Sequence, residues 1–133
     1  MPFMIESDFI IALSRIDDQY HGYARKIISS GDKLLLSPYS LVEINLASRS
    51  VEGDIKEFMS TLKKVVEGYE NLQQIPDKPA YHAKAAQLEQ EYGLSFFDSL
   101  HAAVAIEEGH TIISADSKYK GIKGLRSINP RNL

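Results

Sequence analysis

The sequence predicts a three-layer α/β domain: a central, mostly parallel sheet of 4–5 strands with helices on both faces. Two observations predict it. Short, wholly apolar runs alternate with longer helical stretches, the pattern of buried strands joined by helical crossovers. The length of 133 residues suits one such core and is too short for two, so residues 1–133 are expected to form a single domain.

The elements follow in order. Phe3-Met4-Ile5 is a short apolar run and reads as the first strand. Glu6-Ser7-Asp8 then leads into a helix carrying Phe9, Ile10, Ile11 and Leu13, with Asp8 a candidate cap. Tyr20 to Ser29 is a second helix closed by Gly31, and Leu34-Leu35-Leu36 is the next strand. Ser37-Pro38 opens a helix bearing Leu41, Val42, Ile44 and Leu46, since proline is tolerated in a first turn. Asp54 to Glu67 is amphipathic, with Ile55, Phe58, Met59, Leu62, Val65 and Val66 on one face. Asn71 to Lys78 is a short strand and a loop, and Pro79 to Tyr92 a helix stopped by Gly93. Phe96 to Glu108 is the clearest helix, capped by Ser95 and stopped by Gly109. Thr111 to Ser114 and Arg126 to Ile128 complete the strands.

Composition excludes several classes. There is no cysteine, hence no disulfide framework and no thiolate nucleophile or ligand, which fits a reducing, cytoplasmic setting. The first residues, MPFMIESDFIIAL, lack the basic start of a signal peptide, and no apolar run nears the roughly 20 residues of a membrane span. A net charge of −3 argues against a passive nucleic-acid coat. The charge is uneven, however: residues 117–133 carry Lys118, Lys120, Lys123, Arg126 and Arg131 and no acid. Such a tail can hold phosphates, or it is an ordinary solvated surface.

In parallel sheets, sites form beyond the carboxyl ends of the strands. Glu6 and Asp8 follow the first strand, Glu43 lies in the helix after the second, Asp98 opens the helix into the Thr111 strand, and Asp116 follows that strand. Each acid also has a local explanation. Ser40-Leu41-Val42-Glu43 fits a capping box, Ser95-Phe96-Phe97-Asp98 a related cap, and Ser114-Ala115-Asp116 a turn. Together they suggest more, because several carboxylates in one pocket repel one another unless a cation neutralises them. Hard oxygen ligands select Mg²⁺ or Mn²⁺ over Zn²⁺. His21, His82, His101 and His110 show no ligand spacing. His101, three residues after Asp98, is within reach of the acids, but a packed, hydrogen-bonded histidine is the expectation.

These residues resemble the PIN-domain family, and within it the VapC-type toxins of prokaryotic toxin–antitoxin pairs. The resemblance runs over nearly the whole chain. IESDFIIAL (5–13) is similar to the family's opening strand, acid turn and first helix, and LSPYSLVEI (36–44) to its second strand and glutamate helix. LSFFDSLHAAVAIEEGHTIISAD (94–116) is the most specific stretch, and YKGIKGL (119–125) resembles the usual end. The resemblance implies a PIN-like three-layer fold and a metal-dependent endoribonuclease that hydrolyses RNA phosphodiester bonds with Mg²⁺ or Mn²⁺. The implied catalytic acids are Glu6, Glu43, Asp98 and Asp116. Glu6, Asp98 and Asp116 would be direct or water-mediated metal ligands, and Glu43 would orient a water. Ser7, Asp8 and Ser114 would support them by hydrogen bonds, while Arg49, Lys118, Lys120 and Lys123 would hold RNA. An antitoxin protein and a homodimer are the implied partners. The amphipathic 54–67 helix with Tyr69, Tyr81 and Tyr92 is the candidate dimer surface.

One residue departs from the family pattern. The first acid is usually aspartate, and Glu6 is one methylene longer, placing its carboxylate about 1.5 Å further out. Three outcomes stay open: Glu6 still binds metal, Asp8 takes its place, or the site is weakened. A weakened site would leave a PIN-like module that binds RNA or protein and cuts poorly. A haloacid-dehalogenase-type phosphatase also has an acid-x-Asp turn after its first strand. It needs an aspartate nucleophile where this chain has Glu6, and a catalytic lysine that cannot be placed.

Overall fold

Alternation in the strands decides what lies on each side of the sheet. In β1 (Phe3–Ile5), Met4 faces one core and Ile5 the other. In β2 (Leu34–Leu36), Leu35 faces the first core and its neighbours the second. In β4 (Thr111–Ile113), Ile112 and Ile113 divide the same way. Both faces are therefore covered, which is why these strands read as continuous apolar runs rather than as alternating ones. β3 (Leu72–Gln74) and β5 (Arg126–Ile128) form the two edges and carry the polar residues.

The computed structural model of the chain describes residues 2–50 and 53–133. The five strands are all parallel, in the order β3-β2-β1-β4-β5. Six helices flank them: α1 (Ser7–Ser14), α2 (His21–Ser29), α3 (Ser40–Ser48), α4 (Ile55–Glu67), α5 (Pro79–Tyr92) and α6 (Phe96–Glu108). The pair α5 and α6 packs on the Met4–Ile112 side, and α1 to α4 cover the other. Among the described residues no helix is long and apolar enough to cross a membrane.

Where helix ends depend on adjacent residues, they form as expected. Gly93 and Gly109 end α5 and α6 in the left-handed conformation, at φ of +68° and +71°. Ser95 caps α6 by accepting from the Asp98 N–H. Elsewhere distant partners intervene. The helix expected to open at Ser37-Pro38 starts at Ser40, because the Ser37 N–H still donates to the Ile5 carbonyl and so continues the β1–β2 ladder. The cap of α1 is Glu6, not Asp8.

The face of α4 that was a candidate dimer surface contributes to the domain's own core. Leu62 is buried, and Phe58, Met59, Val65 and Val66 pack beside it. Tyr81 is also internal, 1% exposed, with its hydroxyl donating to Glu108. Tyr81 and Leu62 are thereby taken out of the candidate dimer surface, whereas Tyr92 stays exposed.

Ile112 is fully buried on the strand between β1 and β5. Ile112→Ala should cost about 2–5 kcal/mol through the burial it forgoes and the cavity left behind. Urea denaturation measures this; a shift under about 1 kcal/mol would mean the two cores do not close tightly on the sheet.

Candidate active site

The strand order places the site. The chain builds outward from β1 to β2 and β3, then returns to the other side of β1 as β4 and β5. The segments leaving the carboxyl ends of β1 and β4 diverge there and open a crevice. Glu6 leaves β1, Ser37 leaves β2, and Ser114 and Asp116 leave β4. Glu43 on α3 and Asp98 on α6 project to the same end and sense each other's charge.

Glu6 is the most enclosed of the acids, 1% exposed. Its Oε1 accepts the Asp8 N–H at 3.0 Å and its Oε2 accepts the Tyr119 hydroxyl at 3.2 Å. Burial pushes its carboxyl up to about 7; nearby His101 opposes the rise and Asp8 adds to it. Glu43 behaves in the opposite way. Burial would raise it, but hydrogen bonds from His101 and Ser7 outweigh burial and hold it below the usual carboxylate range. His101 Nε2 lies 2.8 Å from Glu43 Oε1 and 3.8 Å from Glu6 Oε2. The Ser7 hydroxyl donates to the same Glu43 oxygen.

Two residues outside the expected acid set hold this arrangement. His101 is fully buried one helical turn after Asp98, and its Nδ1 lies 2.6 Å from the Ser37 hydroxyl. Ser37 thus fixes the ring that fixes Glu43. His101 was within reach by spacing alone; Ser37 was legible only as the residue at the carboxyl end of a strand. The Ser40–Glu43 capping box does not form, since Tyr39 makes no side-chain cap and Glu43 is committed across the site.

Asp98 and Asp116 meet at a lysine. The Lys118 ammonium lies 2.9 Å from Asp98 and 3.6 Å from Asp116, with exposed Asp8 at 3.9 Å. Asp116 keeps its turn role as well: one oxygen accepts the Lys118 N–H at 2.9 Å, and the Ser114 hydroxyl accepts the Asp116 N–H at 3.1 Å. Burial works against the ammonium of Lys118, but Asp98, Glu6 and Asp8 outweigh it and hold the group above the ordinary lysine value. Asp8 is shifted up, by burial first and by its acidic neighbours, with Lys118 opposing.

Glu6, Glu43, Asp98 and Asp116 are thus brought to one crevice, with Ser7, Asp8 and Ser114 against them. Arg49, Lys120 and Lys123 are not. Arg49 is exposed at the end of α3 and bonds Asn45 at 3.0 Å. Lys120 and Lys123 are exposed beyond Tyr119. The donor atoms of Glu6, Glu43 and His101 lie within 4.8 Å of one another, a spacing a single cation can bridge. The Lys118 ammonium drawn among Asp98, Asp116 and Asp8 shows a cluster of carboxylates that takes positive charge, and the acids supply the oxygen donors that a divalent ion uses.

The family model for the PIN domain matches residues 3–125. No curated protein sequence matches the chain. Several solved structures share its fold. DNA-bound VapBC from Salmonella typhimurium is 14% identical, over 98% of each chain, with a TM-score of 0.75. VapBC2 from Rickettsia felis, bound to a promoter DNA fragment, is 21% identical, over 97% of this chain and 98% of that one, with a TM-score of 0.72. VapC20 from Mycobacterium tuberculosis, a sarcin-ricin loop cleaving toxin, is 17% identical, over 93% of this chain and 98% of that one, with a TM-score of 0.71.

Proposed function

The chain belongs to the PIN-domain family, and from that membership we propose that it is a Mg²⁺- or Mn²⁺-dependent endoribonuclease, the toxin of a toxin–antitoxin pair. One observation carries the reading: Glu6, Glu43, Asp98 and Asp116 reach one crevice from four separate elements, at the carboxyl ends of parallel strands. Glu6, Asp98 and Asp116 would hold the ion directly or through water. When bound, the ion supplies countercharge to the phosphate and lowers the pKa of water. Glu43, kept ionised by His101 and Ser7, orients the attacking water. Ser37 and His101 keep Glu43 in place, and Ser114 keeps the Asp116 turn. Lys120, Lys123 and Arg49 lie outside the acids, where backbone phosphates of RNA can be held.

The direct test is cleavage of structured and unstructured RNA with Mn²⁺ or Mg²⁺ and with chelator. Cleavage that needs the ion is expected; cleavage unaffected by chelator overturns the metal reading. Replacing Lys120 and Lys123 with Ala should lower the slope of log affinity against log salt by about 0.7 for each single-strand phosphate that the variant no longer neutralises. An unchanged slope would place the RNA elsewhere.

The VapBC complexes of like fold make a small antitoxin protein the proposed partner, and the cytoplasm the proposed setting. A homodimer is the proposed assembly, which light scattering showing a monomer at micromolar concentration would refute. A second reading, a binding module that cuts poorly, is favoured by Glu6, whose carboxyl near 7 holds a proton that a metal must displace. Millimolar rather than micromolar affinity for Mn²⁺, with RNA binding intact, would support it.

A further inference from the structure

The last arginine of the basic tail is held in place by an aromatic ring. The guanidinium carbon of Arg131 stands 5.0 Å from the centre of the Tyr20 ring. Both residues are pinned from behind. Tyr20 packs against the core that α1 to α4 cover, and its N–H donates to Asp18 at 2.8 Å. Arg131 sits in the short turn Pro130–Asn132, where Pro130 is buried and the Arg131 N–H donates to the Asn129 side chain at 2.9 Å. A contact with a ring engages the charge of a guanidinium and satisfies none of its five N–H donors. Among the described residues the Arg131 side chain makes no ion pair and no hydrogen bond. The acids next to Tyr20 are engaged elsewhere, Asp17 by Arg15 at 3.6 Å and Asp18 by the Tyr20 N–H.

The pair stands beside the acid crevice. One narrow cleft is lined by Asp8 and Ser114 from the crevice and by Tyr20 and Pro130 from the pair. Lys123 lies on the other layer, its N–H donating to the Tyr92 hydroxyl of α5 at 3.1 Å. The two cations thus flank the crevice from opposite faces of the sheet. We propose that Arg131, oriented by Tyr20, binds a backbone phosphate of the RNA on the α2 side of the crevice, a phosphate other than those at Lys120 and Lys123. A guanidinium fork with unpaired donors matches two phosphate oxygens with two parallel N–H groups. Tyr20 is a positioning residue: it restrains a long side chain before the ligand arrives, so less freedom is lost on binding. The proposal takes its ligand, single-stranded RNA, from the ribonuclease reading and adds to that reading a second anchor for the strand.

The test is binding of a fluorescein-labelled single-stranded RNA to the full chain, with chelator present to prevent metal-dependent cleavage, followed by anisotropy over a series of salt concentrations. Arg131→Ala should weaken binding about tenfold and lower the slope of log affinity against log salt by about 0.7. Arg131→Lys should restore the slope but not the full affinity, because an ammonium has no fork. Tyr20→Leu leaves Arg131 in the chain and should still weaken binding, whereas Tyr20→Phe, which keeps the ring, should bind as the wild type does. Wild-type affinity and slope in Arg131→Ala overturn the proposal. Wild-type binding in Tyr20→Leu overturns it as well, since Arg131 would then be a loose surface charge. Arg131 is exposed, so its arm holds even where Tyr20→Leu does not fold. A wild type that binds RNA through Arg131 but cleaves none with Mn²⁺ leaves this site standing and removes the nuclease reading, so the two failures are distinguishable.

Discussion

Asp98→Asn is expected to abolish the proposed metal-dependent RNA cleavage, with a loss of about 100-fold, and to leave the protein folded. Asn has the same shape as Asp. The cap of α6 is the Ser95 hydroxyl accepting the residue-98 N–H, which the substitution does not touch. The change removes a partner of Lys118 at 2.9 Å, and at the same time one of several mutually repelling acids. The two effects oppose each other, and Lys118 keeps Asp116 and Asp8 as partners, so the metal-free stability should change little. The metal-bound protein behaves differently. An ion at a hundred times its dissociation constant stabilises the wild type by about 2.7 kcal/mol, and the variant should lose much of that. Melting curves with and without Mn²⁺, beside a cleavage assay, measure both. Wild-type cleavage in the variant would remove Asp98 from the site. A large drop in stability with no Mn²⁺ effect in either protein would mean Asp98 serves only the fold.

Glu6→Gln is expected to have the second large effect, in pH dependence as well as in the proposed cleavage. Unfolded, Glu6 ionises near 4.5; in the fold its carboxyl is pushed up to about 7 by burial. Between those values the folded protein binds a proton that the unfolded chain does not. The stability contributed by the neutral carboxyl is thus complete below about 4.5 and is lost as pH rises through about 7. At about 1.36 kcal/mol per pH interval the loss amounts to about 3 kcal/mol. Gln cannot ionise, yet it can still accept from the Asp8 N–H and meet the Tyr119 hydroxyl. Without metal, the difference in stability between Glu6→Gln and the wild type should therefore grow in favour of Gln from pH 5 to pH 8. Mn²⁺ should reverse the order at pH 8, because the ion competes with the proton for Glu6 and has no carboxylate to bind in the variant. Cleavage should fall to background. Glu6→Asp tests the extra methylene: if the longer side chain weakens the site, Asp should raise activity. A pH-independent difference between Glu6→Gln and the wild type would mean that Glu6 is already ionised in the metal-free protein.

Particular residues show how far the sequence reaches. Leu34-Leu35-Leu36 and Thr111-Ile112-Ile113 are strands because a sheet covered on both faces needs apolar residues at every position, and that is written in the run itself. Ser95, Gly93 and Gly109 act on neighbours within four residues, so their roles could be read locally. The four acids were selected by a rule about strand ends, which needs the parallel sheet but not its strand order. By itself, then, the sequence determined a two-faced parallel α/β domain and the set of carboxylates gathered at one end of it.

The tertiary structure alone decided how those carboxylates are partnered. Glu43 looks like part of a capping box beside Ser40, yet its oxygen bonds His101, 58 positions away, and His101 bonds Ser37, 64 positions away. Tyr119 reaches Glu6 across 113 positions, and the turn holding it directs Lys118 into the acids instead of toward solvent. A local cap and a distant hydrogen bond compete for the same carboxylate oxygen. In a buried crevice the distant partner prevails, because His101 cannot reach water and must be satisfied by the groups that the fold places beside it. Which groups those are depends on β1 lying between β2 and β4, and that arrangement is made by the packing of both cores at once.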